Sequence, residues 1–218
     1  MTESLLMIPG PTNVSERVRE VMSRPQLGHG SPEFTENFGE MLKLARLAFK
    51  NNNGSQFVFT GSGTLAMEAS VVSTVQPGDK VLVLDTGYFG QRMVSINEAH
   101  GAHVSQLQYP FGTHANPDDL RGRLREDKFR AVFITHVDTS TAVVNPIKEL
   151  VAECKSAGAF AVVDSVCGLA GEELDFDRLG ADIVFTASQK AIAAPPGAVL
   201  IAVSKELLEY FQERATRI

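Results

Sequence analysis

The sequence predicts an α/β fold in which a mostly parallel sheet of seven strands is flanked by helices. From about residue 57 onward, short apolar runs alternate with segments of helical spacing, which is typical of parallel strands joined by helical crossovers. These runs are continuous and do not alternate with polar residues, which indicates strands covered on both faces. With 218 residues, the chain is long enough to build one large core.

The segment before the sheet is predicted to be an arm followed by helices. The stretch 7–12 contains two prolines and is unsuited to a helix or a central strand. Helices are predicted over 15–22 and 32–50, and the second has Pro32 in its first turn. Asparagines and a glycine at 51–54 then predict a turn.

The sheet and its covering helices follow in alternation. The predicted strands lie at 57–59, 81–84, 104–107, 131–135, 160–164, 183–186 and 198–203. The predicted helices lie at 65–74, 91–100, 120–126, 146–156 and 205–216. Because ligands of such sheets bind at the carboxyl ends of the strands, residues that follow the strands are expected to line one crevice.

Composition and charge exclude several classes of function. The net charge is -6, and the basic residues between 121 and 130 are interrupted by acidic ones, so we expect no nucleic-acid partner. No apolar stretch approaches the ~20 residues of a membrane span, and the N-terminus does not resemble a signal peptide. Cys154 and Cys167 fit a reducing cytoplasm and offer no metal spacing, so we expect a cytoplasmic protein without a metal site.

Three features at strand ends predict a cofactor site. Gly61-Ser62-Gly63-Thr64 opens a helix whose N–H groups suit a phosphate, although a plain turn with Thr64 as N-cap gives the same pattern. Asp164 ends a buried strand and needs a partner such as a pyridinium N–H, unless it caps the next loop. Lys190 lies among small and apolar residues, as a nucleophilic amine does, with a surface lysine as the alternative. Together they predict a site for pyridoxal phosphate (PLP).

Two other segments could complete this site. Phe89, between two glycines after the second strand, could stack on a planar cofactor or simply close the end of the sheet. The segment 135–141 is dense in hydroxyl groups that could bond a ring oxygen or a phosphate. His136 within it could act in acid–base chemistry, but a hydrogen-bonded structural histidine is the favoured interpretation.

At these residues the chain resembles class V aminotransferases of the PLP fold type I group, in particular alanine–glyoxylate and serine–pyruvate aminotransferases. The resemblance extends over nearly the whole chain and follows the order of the family. The matching stretches are 9–13, 60–68, 87–92, 135–141, 163–166 and 188–197.

The resemblance implies a role for each site residue. Lys190 is similar to the lysine that binds the cofactor aldehyde as an imine and moves a proton between the substrate and the cofactor. Asp164 is similar to the partner of the ring nitrogen, which lets the ring accept electrons. The other implied cofactor contacts are Phe89 and Val166 on the two ring faces, Thr139 near the ring oxygen, and Ser62, Gly63, Thr64 and Gln189 near the phosphate.

The resemblance also implies the domain organisation, the partners and the reaction. Residues 1–24 would form an N-terminal arm and helix, and residues 25–218 a large PLP-binding domain within a homodimer. The family's C-terminal small domain, which carries a carboxylate-binding arginine, is missing from this chain, so we expect a fragment or a shortened member that transaminates poorly. The expected substrates are alanine or serine as the amino acid, and glyoxylate or pyruvate as the 2-oxo acid.

Two other functions stay open at this point. A cysteine desulfurase-like PLP lyase would favour a histidine in place of Phe89 and a histidine directly before the lysine, where this chain has Gln189. A non-catalytic scaffold protein would keep the fold but take no PLP. Absorbance of bound PLP, and its loss when Lys190 is replaced, would separate these functions.

Overall fold

The computed structural model describes residues 5–215 and confirms the predicted α/β fold. The ends of the predicted N-terminal arm and of the predicted last helix lie outside this range. The helices are α1 (Glu16–Met22), α2 (Pro32–Phe49), α3 (Gly63–Thr74), α4 (Tyr88–Ala99), α5 (Pro117–Glu126), α6 (Ile147–Ser156), α7 (Phe176–Leu179) and α8 (Lys205–Ala215). The strands are β1 (Ser55–Gly61), β2 (Lys80–Asp85), β3 (His103–Gln108), β4 (Ala131–Thr135), β5 (Val137–Asp138), β6 (Val143–Val144), β7 (Phe160–Asp164), β8 (Ile183–Ala187) and β9 (Gly197–Val203).

The main sheet has seven strands in the order β1-β9-β8-β7-β4-β2-β3. β9 runs antiparallel to both of its neighbours, whereas the other pairings are parallel, so the six remaining strands share one direction. The prediction of a mostly parallel sheet is therefore confirmed. The short strands β5 and β6 pair with each other outside this sheet.

Apolar side chains cover both faces of the sheet, as the continuous apolar runs predicted. Successive residues of a strand point to opposite faces, and in β4 this sends Val132 and Ile134 into one layer and Phe133 into the other. The first layer is completed by residues of α5 and α6, and the second by residues of α3, α4 and α8. Within residues 5–215, no helix combines the length and the apolar character that crossing a membrane requires.

The structure differs from the sequence-based elements in four places. β1 spans Ser55–Gly61 and is longer than the predicted 57–59, because the whole segment pairs with β9. α4 begins at Tyr88 and not at residue 91, so the segment predicted as a loop forms its first turn. The β5–β6 pair and the one-turn helix α7 were not predicted, since each is too short to show an apolar period.

Candidate functional site

The carboxyl ends of the parallel strands bring the predicted site residues to one edge of the sheet. β1 leads into α3 and its first-turn residues, and β2 leads into α4 with Phe89. Asp164 is the last residue of β7, and Val166 lies two residues beyond it. Gln189 and Lys190 follow the end of β8, and Thr139 follows β5. The candidate residues therefore lie at the edge of the sheet where the crevice was expected.

Asp164 is buried at this edge, and its carboxylate accepts a backbone hydrogen bond. Its Oδ1 accepts the N–H of Val166 at 3.0 Å. Burial, with a smaller contribution from the charge of Asp138, raises the pKa of the Asp164 carboxyl, and the net value is about 7. The Val166 N–H and the charge of Lys190 act in the opposite direction. A buried carboxyl of this kind is well suited to a cationic N–H donor such as a protonated pyridine nitrogen.

Lys190 is half-buried in the loop between β8 and β9, where the N-terminal arm covers it. Thr12 holds this loop, because its N–H donates to Gln189 O at 3.0 Å and its hydroxyl to Lys190 O at 2.9 Å. A Cβ on Gly10 would lie only 2.8 Å from Lys190 Nζ. The sequence analysis missed this contact, although a glycine between two prolines was a signal of a fixed, close backbone approach.

The N-terminus of α3 faces the same crevice. Ser62 is its N-cap and its side chain makes no capping bond, so the alternative with Thr64 as N-cap was wrong. A Cβ on Gly63 would lie 3.4 Å from Val166 Cγ2, which places this turn against the residue that follows Asp164. The exposed Ser62 and Thr64 hydroxyls and the first N–H groups of the helix form a suitable site for a phosphate.

Phe89 lies in the first turn of α4 beside an arginine that the sequence analysis missed. Arg92 donates to Thr64 Oγ1 at 3.0 Å and to the Tyr88 hydroxyl at 2.8 Å. Its guanidinium carbon is 5.6 Å from the centre of the Phe89 ring. Arg92 therefore links the phosphate-side turn to the aromatic residues. The spacing of three and four residues along one helix was the available signal.

The polar segment after β4 contains both a site candidate and a structural histidine. The Thr139 hydroxyl lies 2.7 Å from Cys167 Sγ, close to the loop after β7. His136 is buried with Nδ1 3.0 Å from the Ser165 hydroxyl. Burial lowers the pKa of the His136 imidazole, against a smaller raising effect of Glu172. A buried neutral imidazole agrees with the structural interpretation.

The residues at this edge fit PLP in chemistry and in arrangement. An amine at Lys190, a buried carboxyl at Asp164 and a helix N-terminus at Ser62 are the groups that an aldehyde, a pyridinium and a phosphate require. Val166 connects two of them, because its N–H binds Asp164 and its side chain faces Gly63. The assignment of each residue to a cofactor atom stays a prediction.

Comparisons with known proteins agree with this arrangement. The family model described as aminotransferase class-V matches residues 12–216. Alanine–glyoxylate aminotransferase 1 of Saccharomyces cerevisiae is 38% identical over 221 residues, which cover 96% of this chain and 57% of the yeast protein. The crystal structure of ureidoglycine–glyoxylate aminotransferase from Bacillus subtilis superposes with a TM-score of 0.93 at 29% identity, covering 99% of this chain and 56% of that one.

A second solved structure gives the same result and the same limit of coverage. Alanine–glyoxylate aminotransferase from Nostoc has a TM-score of 0.93 and 32% identity, covering 97% of this chain and 56% of that chain. The chain thus spans a little more than half the length of the relatives it matches. Its fold is that of the PLP fold type I large domain. Since the family model extends over nearly the whole sequence, the chain belongs to the class V aminotransferases.

Proposed function

We propose that this chain binds PLP at the carboxyl edge of the sheet and takes part in transamination between a small amino acid and a 2-oxo acid. The observation that supports it most is the apposition of Lys190 and the buried Asp164 beside the N-terminus of α3. A relative named for alanine and glyoxylate supports alanine as the amino donor, and it and a relative named for ureidoglycine and glyoxylate support glyoxylate as the acceptor. Serine as donor and pyruvate as acceptor are proposed from the resemblance alone.

Each residue has a defined task in this proposal. PLP, when bound, supplies an electron sink for the negative charge that develops at the substrate α-carbon. Lys190 would hold the cofactor through its aldehyde group, and its free amine would move a proton between the substrate α-carbon and the former aldehyde carbon of the cofactor. Asp164 retains the proton on the ring nitrogen. The proposed binding contacts are Phe89 and Val166 on the ring faces, Thr139 at the ring oxygen, and Ser62, Gly63, Thr64 and Gln189 at the phosphate.

Absorbance and borohydride reduction test the cofactor proposal. The purified chain with PLP should absorb near the violet edge of the visible spectrum. Reduction followed by digestion should then place the cofactor on the peptide that contains Lys190. Lys190→Ala should abolish this labelling, whereas Lys43→Ala, at an exposed lysine on α2, should leave it unchanged. Labelling that survives in Lys190→Ala would contradict the assignment.

Turnover with alanine and glyoxylate tests the reaction itself. We expect slow turnover compared with a full-length relative, because the chain spans only part of those proteins. Comparable rates would contradict the expectation that this chain transaminates poorly. Sulfide release from cysteine would instead identify a desulfurase-like lyase, and failure to take PLP at high concentration would favour a scaffold protein.

The proposal extends to assembly and location. We propose a homodimer, as the resemblance implies, and a cytoplasmic location, which the two free cysteines fit. Light scattering coupled to size-exclusion chromatography would measure the mass of the particle. A mass of one 23.6 kDa chain at all concentrations would exclude the dimer. Fluorescence microscopy of the tagged chain in its cell of origin would test the compartment.

A further inference from the structure

α4 has no capping side chain of its own. Its N-cap is Gly87, whose N–H donates to Asp85 Oδ1 at 3.2 Å, while Asp85 Oδ2 accepts from Gln106 and Gln108 on β3. The first N–H groups of a helix have no partner within the helix and are costly to leave unbonded. Partners for the first turn of α4 must therefore come from elsewhere in the chain.

Asp138 and Ser140 supply these partners from the segment after β4. Ser140 Oγ accepts the N–H of Tyr88 at 3.0 Å, and Asp138 Oδ2 accepts the N–H of Phe89 at 3.2 Å. The Ser140 hydroxyl in turn donates to Asp138 Oδ1 at 2.6 Å. Asp138 is 0% exposed, and its negative charge lies at the positive end of the helix. Two residues about fifty positions away thus act as the cap of α4.

The fit around this cap is tight. A Cβ at Gly87 would lie 2.7 Å from Asp138 Oδ2 and 2.7 Å from Ser140 Oγ. Any side chain at this position would separate α4 from its cap. The glycine is therefore required by the close approach of the two segments.

We propose that Asp138, together with Ser140, is a positioning residue that holds the first turn of α4 so that Phe89 lies over the cofactor ring. This inference rests on the proposed function, because Phe89 matters only if PLP is bound. The Asp138 carboxylate binds the Phe89 N–H and Ser140 and is not among the proposed cofactor contacts, so it acts through Phe89. The negative charge of Asp138 also raises the pKa of the Asp164 carboxyl. Asp138 therefore influences both Phe89, at the proposed ring face, and Asp164, at the proposed ring nitrogen.

PLP affinity of three variants tests this inference. Asp138→Asn replaces one of the two accepting carboxylate oxygens with an NH2 donor, and Ser140→Ala removes the acceptor of the Tyr88 N–H. Each should weaken PLP binding by about fivefold to thirtyfold, as the loss of a capping hydrogen bond does. The circular dichroism of saturating bound PLP should also fall, because it depends on how the ring is held. The matched control is Asp182→Asn, since Asp182 is likewise 0% exposed and caps the Ala161 N–H at 2.8 Å, but lies at the opposite edge of the sheet.

The three variants separate positioning from a general loss of stability. We expect Asp182→Asn to lower the melting temperature but to leave the PLP affinity of the folded chain unchanged. Equal weakening of PLP binding by Asp182→Asn and Asp138→Asn would overturn the inference. Should Asp138→Asn not fold, the exposed Ser140→Ala decides, because it removes only one hydroxyl.

Hydrogen exchange of the chain without PLP provides an independent readout. The peptide containing Tyr88 and Phe89 should exchange faster in Asp138→Asn and Ser140→Ala, and unchanged exchange would overturn the inference. A parent chain that takes no PLP would defeat the proposed function and this inference with it. If the parent chain binds PLP and Asp138→Asn binds it equally tightly, the inference fails while the proposed function stands.

Discussion

Burial determines the protonation of Asp164 before any ligand binds. An isolated carboxylate is unfavourable in a region without water, and burial and Asp138 together outweigh the stabilising effects of Lys190 and the Val166 N–H. The pKa of about 7 means that the carboxyl is half-protonated near neutrality. A pyridinium partner would supply the positive charge that the site lacks and would return the carboxyl to its ionised form.

This pKa predicts how stability depends on pH. Because the folded-state pKa of Asp164 lies above the unfolded value, the folded chain binds the proton more tightly. Its contribution to stability is complete below about pH 4 and is lost as pH rises through about 7, a difference on the order of 4 kcal/mol. Asp164→Asn stays neutral and should lose this dependence. Denaturant unfolding of both proteins without PLP at pH 5 and pH 8 measures it.

The outcome at higher pH distinguishes the parent chain from the variant. Asp164→Asn should be the more stable protein at pH 8 without PLP, and yet bind PLP more weakly, since it lacks the charge that retains the pyridinium proton. The predicted pKa would be contradicted if the free energy of unfolding changed by the same amount from pH 5 to pH 8 in the parent chain and in Asp164→Asn.

The close approach of Gly10 to Lys190 predicts that a methyl group added at residue 10 will disturb the N-terminal arm or the lysine. Its φ of 153° favours glycine, and a Cβ would lie 2.5 Å from Lys190 Cδ. Gly10→Ala should displace either the arm or the lysine, at a cost of about 1–3 kcal/mol. We expect slower reaction of Lys190 with PLP, followed by absorbance. Gly28→Ala is the matched control, because no atom lies within 4 Å of its added methyl group. Equal rates in the two variants would contradict the close packing.

At the scale of elements, Arg92 joins α3 and α4 at the proposed phosphate side of the site. The guanidinium reaches Thr64 on α3, the Tyr88 hydroxyl on α4 and the face of the Phe89 ring. A charged hydrogen bond combined with a cation–π contact fixes the orientation of a planar guanidinium better than either interaction alone. Arg92 also places a positive charge next to the proposed phosphate site.

Replacement of Arg92 should therefore weaken cofactor binding more than it weakens the fold. Arg92→Met should raise the dissociation constant of PLP by about threefold to tenfold, because charged hydrogen bonds contribute about 1.5–3 kcal/mol before screening by solvent. Arg92→Lys should recover the charge but not the fork of hydrogen bonds. The control is Arg123→Met, since Arg123 binds Ser105 and lies over Phe129 away from the site. Inorganic phosphate competition would show whether the loss concerns the phosphate.

The sequence predicted elements whose causes are local, and it missed those whose causes are distant. The strands at the centre of the sheet were predicted nearly to the residue, because β4, β7 and β8 are almost entirely buried and are apolar apart from Thr135, Asp164 and Thr186. The start of α4 was predicted three residues late, because its cap lies on another segment. The length of β1 likewise depends on its pairing with β9.

The same distinction applies to the site. Lys190, Asp164 and the turn at Ser62 were predicted as a group, because each ends or follows an apolar strand and parallel strands end at one edge. Gly10, Arg92 and Asp138 escaped prediction, since their roles arise from contacts with residues that are distant in the sequence or that lie on another element. The periodicity of a single segment cannot reveal the contacts of Gly10 and Asp138, whereas the helical spacing of Arg92 from the aromatic residues was a local signal.

At the scale of the whole molecule, the last strand of the described chain, β9, pairs with the first strand, β1. β9 lies between β1 and β8, so β1 joins the sheet only through a strand that is about 140 residues away. α8 follows β9, and its Leu207 belongs to the second apolar layer, which also contains Ile183 and Phe185. The N-terminal and C-terminal parts of the domain are therefore expected to unfold together.

This connectivity makes Leu207 a test of cooperativity. Leu207 is 0% exposed, and Leu207→Ala should lower the free energy of unfolding by about 2–5 kcal/mol through lost burial and a residual cavity. Because β1 and α3 depend on β9, the loss of secondary structure and the loss of bound PLP should shift to lower denaturant concentration together. Leu47→Ala on α2, at a residue 70% exposed, should change the midpoint little. Circular dichroism and PLP absorbance in one urea titration follow both events, and an unchanged PLP midpoint in Leu207→Ala would show that the site does not depend on the C-terminal helix.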